Sequence, residues 1–309
     1  MKARAVVFAY HNVGVRCLKV LLAHGVEVPL VVTHEDSPRE EIWFDSVART
    51  AADYDIPTIV PEDPNLAGVV ARVAATRPDF LFSFYYRLML KGPLLAVPPR
   101  GALNMHGSLL PKYRGRVPVN WAIIHGETET GATLHYMTEK PDNGDIVAQA
   151  AVPILPDDTA GEVFGKVTLA AEAILHETLP ALVAGTAPRR PQDPRLGSYF
   201  GGRGPEDGVV DWSKSAAEIH NLVRAVAPPY PGARTTLDGK PARILRTRVL
   251  EATSAATKGP SLRVERGRIV ASCGGGGKLA ILALEADGAL VSADGLSAAI
   301  GMTALHLPV

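Results

Sequence analysis

The chain has 309 residues, about two domains' worth at roughly 100–200 residues each. Its 32 Lys and Arg balance 32 Asp and Glu, which argues against a protein whose main task is to grip a polyanion, since such proteins carry a marked basic excess. Hydrophobic residues at 47% and charged residues at 21% exclude wholesale disorder. Cys17 and Cys273 form no CxxC pair, so neither a disulfide framework nor a thiolate metal site is expected, and a reducing compartment fits. The opening MKARAVVFAYHNVG lacks a signal-peptide pattern. No stretch approaches the ~20 apolar residues that span a bilayer. A cytoplasmic protein without a membrane partner is expected.

In chain order, residues 4–9 (RAVVFA) predict a buried strand, 13–24 an amphipathic helix closed by Gly25, and 28–33 a second strand. Pro57 to Val60 predicts a third strand, 64–76 a helix, and 79–84 (DFLFSF) a fourth strand. Strands alternating with helices imply an α/β fold with a doubly wound, Rossmann-like parallel sheet. Ligands bind such sheets beyond the carboxyl ends of the strands. The apolar pattern from Thr159 to Leu182 reads as a closing helix, with Asp157 and Asp158 as capping candidates. Residues 1–186 form the first expected domain, 187–208 a linker rich in proline and turn residues, and 209–309 a second domain. That domain holds one helix (Ser215–Ala225), a PPYPG turn and strands over 233–237, 241–249, 261–265, 268–273 and 278–284. Short strands at this spacing suggest a small barrel or sandwich.

Several motifs fail when weighed. CGGGGK at 273–278 lacks the Gly that a phosphate loop needs at Ser272 and the Ser or Thr it needs at Leu279. A glycine-rich hairpin is expected there. YHNVGV after the first strand lacks GxGxxG, so no NAD is expected. No HExxH or other metal spacing occurs among the nine histidines, so no metal is expected. His24, His176 and His220 lie on helical patterns and read as surface or core residues.

Residues 101–126, GALNMHGSLLPKYRGRVPVNWAIIHG, carry the chemistry. On a strand, Asn104 and His106 are two apart and leave the same face. An amide donor beside an imidazole suits a reaction in which negative charge builds on a carbonyl oxygen: Asn104 bonds the oxyanion and His106 relays a proton. A carboxylate that holds the ring favours its protonated form, and Asp142 in KPDNGDI is the best candidate. A capping role for Asn104 and a packed loop histidine fit the same residue types. Lys112, Arg114 and Arg116 suit phosphate or carboxylate contacts, or form a solvated basic loop.

NMHGSLLPKYRGRVPVNWAIIHGETETGATLHYMTEKPDNGDIVAQ resembles the signature of the 10-formyltetrahydrofolate-dependent formyltransferases, through Asn-x-His, the SLLPKYRG loop, the GETETG turn and Asp-x-Gly. SYFGGRGPEDGVVDW and VRAVAPPYPGA resemble the second, OB-like β-barrel domain of the larger members. The resemblance implies a catalytic triad of Asn104, His106 and Asp142, with 10-formyltetrahydrofolate as co-substrate. It also implies a folate pocket lined by Leu88, Met89, Leu90 and Arg116, with Thr138, Glu139, Lys140 and Pro141 against the pterin. The counterpart of Leu88 is often polar, which removes a side-chain hydrogen bond there. Ser108, Lys112, Tyr113 and Arg114 are implied as the wall facing the acceptor. FSFYYR with HGSLLPKYRGR is most similar to the members that formylate UDP-4-amino-4-deoxy-L-arabinose in lipid A modification and polymyxin resistance. In many bacteria that unit is fused to a decarboxylase domain, and none is expected within these residues. Transfer to another UDP- or dTDP-4-amino sugar, or to methionyl-tRNA, is the alternative. The neutral charge balance favours a nucleotide-sugar and folate over a nucleic acid as partners. The sequence does not assign an oligomeric state.

Overall fold

In the computed structural model, which describes residues 2–38, 40–253, 259–300 and 304–308, the run Arg4–Ala9 forms strand β1, buried throughout from Ala5 to Ala9. Burial on both faces is what a central parallel strand requires, and it explains an apolar run that is continuous rather than alternating. The chain continues through α1 (His11–Ala23), β2 (Glu27–Val32), α2 (Val47–Ala52), β3 (Thr58–Ile59), α3 (Ala67–Ala75), β4 (Phe80–Phe84) and α4 (Gly92–Leu95). Next come β5 (Ala102–His106), β6 (Arg114–Gly115), α5 (Pro118–Ile124), β7 (Glu129–Tyr136), β8 (Ile146–Pro153) and α6 (Ala160–Ala184). Then follow β9 (Tyr199–Phe200), α7 (Ala216–Val226), β10 (Ala233–Leu237), β11 (Lys240–Glu251), β12 (Ser261–Glu265) and β13 (Arg268–Ser272). The last elements are β14 (Lys278–Ala286), β15 (Ala289–Leu290), α8 (Ala293–Ile300) and β16 (Leu305–His306).

The chain divides into two compact units: Met1–Pro118, Glu129–Val152 and Phe164–Gly201 form one, and Val119–Thr128, Pro153–Val163 and Gly202–Val309 the other. In the first unit the strand order is β3-β2-β1-β4-β5-β7-β8. Strands β3, β2, β1, β4 and β5 pair in parallel, and β7 runs antiparallel to β5. The expected Rossmann-like sheet is therefore present, and its order reverses between β1 and β4, where such sheets bind ligands. Val6, Phe8, Leu30, Val32 and Leu81 form one core layer with Leu90 and Leu94. The helix expected over 64–76 begins only at Ala67, because Asn65 donates its backbone N–H to the Asp63 carboxylate (2.9 Å) in a side-chain-closed turn.

Helix α6 has 25 residues and is long and apolar enough to cross a membrane by length and composition, whereas the sequence reading found no such stretch. Val167, Ala171, Leu175, Leu179 and Leu182 are buried along one face, the pattern of a core helix. Thr159 and Glu162 cap its start reciprocally, with Thr159 N donating to Oε2 (2.7 Å) and Glu162 N to Oγ1 (3.3 Å). Asp158, expected as a cap, instead accepts from Leu155 N (2.6 Å).

His11, at the carboxyl end of β1, stacks on Phe44 (3.9 Å between centroids) and meets Trp43 and Phe164 edge-on. Burial, with the nearby Arg87 charge, pushes its pKa down to about 3. The folded ring thus stays neutral where the unfolded ring, titrating near 6.5, takes a proton. The unfolded state binds more protons below that value, so stability falls as pH drops from 6.5 toward 3. His11 alone should lower unfolding stability by about 1–2 kcal/mol between pH 7 and 5. Urea unfolding of the wild type and of His11→Phe checks this, and equal pH slopes would refute it.

In the second unit an antiparallel sheet runs β10-β11-β14-β13-β12-β16, with β15 beside β14. It curls into a half-barrel, consistent with the small OB-like barrel expected from the sequence. Ser215 and Glu218 form a capping box at the start of α7. Ile219, Val223 and Val226 then face the core around Trp212. Trp212 is fully buried, and its indole N–H donates to Thr235 Oγ1 (2.8 Å). Trp212→Ala should cost about 3–5 kcal/mol, read as a lower urea midpoint; a loss below about 1 kcal/mol would contradict this packing. Gly274–Gly277 join β13 to β14 as a hairpin, as expected, with Gly276 N donating to Cys273 O (3.0 Å). A Cβ on Gly275 would lie 2.6 Å from Ser215 N, and one on Gly277, at φ +87, would lie 2.5 Å from Glu251 O.

Candidate active site

Strand β5 alternates Leu103 and Met105, both buried, with Asn104 and His106 on its other face. The chain beyond it folds back as a loop. Thr133 on β7 donates its hydroxyl to Ser108 O (2.6 Å) and accepts from Leu110 N (3.2 Å). Tyr113 adopts a left-handed backbone (φ +55), and its carbonyl lies 2.8 Å from His106 Nε2. A carbonyl only accepts, so Nε2 carries a proton and the ring orientation is set. The other nitrogen, Nδ1, faces Asp142 Oδ1 at 3.6 Å.

Asp142 reaches the site from the loop after β7, again through a left-handed residue (φ +51). Its Oδ2 accepts the Gly115 N–H (2.8 Å), and its Oδ1 lies 3.5 Å from Asn104 Nδ2. Gly115 itself has φ +96, and a Cβ there would stand 2.1 Å from Phe200 O. Burial opposes the Asp142 charge, but the charges of His106 and His135 and the bond from Gly115 hold the carboxyl well below the usual carboxylate range. Asn104, His106 and Asp142 therefore stand together, with Asp142 ionised.

The structure adds a residue that was not singled out in the sequence, His135. It is buried, lies opposite Asn104 in the antiparallel register of β5 and β7, and sits 3.2 Å from Asn104 Nδ2 and 3.5 Å from Asp142 Oδ1. Its Nδ1 donates to Tyr136 O (2.8 Å), which leaves Nε2 facing the carboxylate. The available signal was an imidazole inside the otherwise apolar run GATLHY.

Other expected site residues are dispersed around this centre. Leu88 and Met89 expose their side chains after β4, whereas Leu90 is buried in the core. Thr138, Glu139 and Lys140 are exposed on the loop that carries Asp142, Pro141 is half-buried, and Thr138 Oγ1 donates to Lys140 O (3.0 Å). A Cβ on Gly92 would lie 2.7 Å from Glu139 Oε1, so the loop after β4 and the loop after β7 face one another. Lys112 and Arg116 are exposed. Arg114 is half-buried and donates to Asn143 Oδ1 (3.2 Å) and Pro194 O (3.3 Å). Ser108 is fully buried, its hydroxyl donated to Lys112 O (2.7 Å), and Tyr113 stacks on Phe200 (5.3 Å between centroids). Among the described residues no group of three or more His, Cys, Asp or Glu is placed to hold a metal ion.

An amide donor, an oriented imidazole and a buried carboxylate on one sheet end can stabilise a developing oxyanion and move a proton. The sequence pattern of the family described as formyl transferase matches residues 16–179, and that described as formyl transferase, C-terminal domain, matches 204–296. An N-formyltransferase from Helicobacter canadensis, solved with folinic acid and dTDP-3-aminofucose, shares 20% identity over 91% of this chain and 99% of its own, with TM-score 0.70. WlaRD, a sugar 3N-formyl transferase solved with dTDP and 5-N-formyl-THF, shares 19% over 91% and 97%, also at 0.70. HypX from Aquifex aeolicus, solved with tetrahydrofolic acid, shares 18% over 97% of this chain but 47% of its own, at 0.61. At these identities the likeness to solved structures is one of fold.

Proposed function

The chain belongs to the formyl transferase family, and on that premise we propose that it moves a formyl group from 10-formyltetrahydrofolate to the 4-amino group of a UDP-aminosugar, UDP-4-amino-4-deoxy-L-arabinose first among them. The observation that carries the reading is the convergence of Asn104, His106 and His135 on the Asp142 carboxylate, within 3.6 Å. The folate and aminosugar nucleotide bound to the Helicobacter enzyme support the same two classes of ligand.

Folate supplies an activated formyl group when bound. The facing loops after β4 and β7 would hold it, with the backbone of Leu88–Leu90 and the segment Thr138–Pro141 offering hydrogen bonds to a pterin edge. The amine of the acceptor attacks the formyl carbon. Asn104 donates its amide to the oxygen on which charge develops, and a protonated His106 beside it supplies a second donor. As the bond between the formyl carbon and the departing nitrogen breaks, His106 passes a proton from Nδ1 to that nitrogen and is reprotonated by the proton the attacking amine releases, while Asp142 offers a fixed countercharge. The exposed Lys112 and Arg116 provide positive charge for the acceptor's phosphates, and the buried thiols of Cys17 and Cys273 suit a reducing, cytoplasmic setting.

The test is mass-spectrometric detection of formylated product from purified protein. 10-Formyltetrahydrofolate would be supplied with UDP-4-amino-4-deoxy-L-arabinose, dTDP-3- and dTDP-4-amino sugars, or Met-tRNA. Turnover with the UDP sugar supports the reading; turnover only with Met-tRNA overturns it.

A further inference from the structure

We propose that Gln192 is a positioning residue of this site, setting the Asp142 loop from the stretch 190–200, which the sequence reading treated as part of a linker. The inference rests on the functional reading above, in which Asp142 serves formyl transfer.

The Gln192 carboxamide is inserted into the Asp142 turn. Its Nε2 donates to Gly144 O (2.6 Å) and to Asp142 O (3.1 Å). Both acceptors are carbonyls, so the amide's two hydrogens are used and its orientation is forced, the oxygen being able to bond neither. Asp142 is left-handed, a conformation that Asp tolerates better than most side-chain-bearing residues but that still costs free energy relative to the right-handed one. Two carbonyls drawn to one NH₂ group favour it here. Gly144 closes the same turn against β7, where a Cβ would lie 2.0 Å from Tyr136 O. The carboxylate that faces His106 and His135 is therefore aimed by a backbone turn that Gln192 pins.

The rest of the stretch pins the other side of the site. Arg190 and Ile146 exchange backbone bonds (2.8 and 2.9 Å). Ser198 accepts Tyr113 N on its hydroxyl (2.9 Å) and Arg114 N on its carbonyl (2.9 Å), and Phe200 O accepts Arg116 N (3.0 Å). Tyr113 is the residue whose carbonyl orients His106. Eleven residues of chain thus splint both the carboxylate and the imidazole, one through Gln192 and the other through Ser198.

The test compares Gln192→Leu and Gln192→Glu with the wild type in the formyl-transfer assay. Leucine removes both donors, and glutamate keeps the shape while placing a carboxylate oxygen against two carbonyls. Because displacement of a reacting group by about 1 Å costs up to ~10²-fold, kcat should fall by about 10–100-fold. KM for each substrate should stay within threefold, and Tm should fall only modestly for Gln192→Leu and further for Gln192→Glu, whose carboxylate faces two carbonyls. The nitrogen-15 NMR resonances of the His106 ring in the full chain should shift as its countercharge moves. A merely structural role would change Tm without that split or that signature. If Gln192→Leu does not fold, Gln192→Glu carries the comparison. A wild-type kcat with unshifted His106 resonances overturns the proposal. If the wild type itself transfers no formyl group, the functional reading fails, and the His106 resonances alone then decide whether Gln192 positions the pair.

Discussion

His106→Ala is expected to fold and bind both substrates while kcat falls by about 10²–10⁴-fold, the range for loss of a positioned general acid. The geometry makes the ring hard to replace. Its Nε2 proton is committed to Tyr113 O (2.8 Å), so a proton bound for the leaving nitrogen departs from Nδ1, on the side shared with Asp142 Oδ1 (3.6 Å). A water in the vacated space still has Tyr113 O to bond, but it is not a rigid ring that holds a second proton-carrying nitrogen on the Asp142 side. Asn104 remains as one oxyanion donor, which keeps the residual rate above the uncatalysed one. Steady-state kinetics decides the matter, and a kcat within threefold of the wild type would remove His106 from the chemistry.

Asp142→Asn is expected to lower kcat by about 10²–10³-fold while preserving the turn, since an amide oxygen still accepts the Gly115 N–H. What changes is the group facing the imidazoles: a fixed negative charge is lost, so the doubly protonated ring that the proton transfer needs is no longer favoured. A second readout is stability. The folded pKa of Asp142 lies below its unfolded value, so the group contributes stability that is present above the ordinary carboxylate pKa, near 4. That contribution is lost as pH falls through the lower, folded value. The asparagine variant should therefore be less stable than the wild type at pH 7, and the gap should narrow only below about pH 4. A gap that is already closed at pH 6 would mean that the carboxylate is not held by those two rings.

Much of this arrangement was legible because local rules carry it. The β1 run is apolar without alternation, and Asn104 and His106 are two apart on a strand, so their shared face follows from the pleat. The Ser215–Glu218 spacing announces the start of α7. His135 was only faintly legible, since a lone imidazole in GATLHY is its one local mark. It matters through the register that sets it opposite Asn104, 31 residues away. Gln192 was hidden differently: proline and turn residues around it mark an irregular chain, and composition does not say whether such a chain is free or laced to its neighbours. Ser108 shows the reverse case, a polar residue in a chemically suggestive loop whose hydroxyl closes the loop on itself.

The glycine hairpin at 274–277 has a practical consequence for anyone who must add something to this protein. Loop tips are the usual places for tags, epitopes and inserted domains, yet tolerance depends on backbone burial and bonding rather than on being a turn. Here Gly276 and Gly277 are buried and the hairpin lies against the chain before α7, so an insertion would part it from Ser213–Ser215. The turns at Asp238–Gly239 and Arg266–Gly267 are exposed, and neither glycine has a neighbour within 4 Å of an added Cβ. Those two turns are permissive ports of the second unit, and the quartet of glycines, despite its appearance, is a closed one.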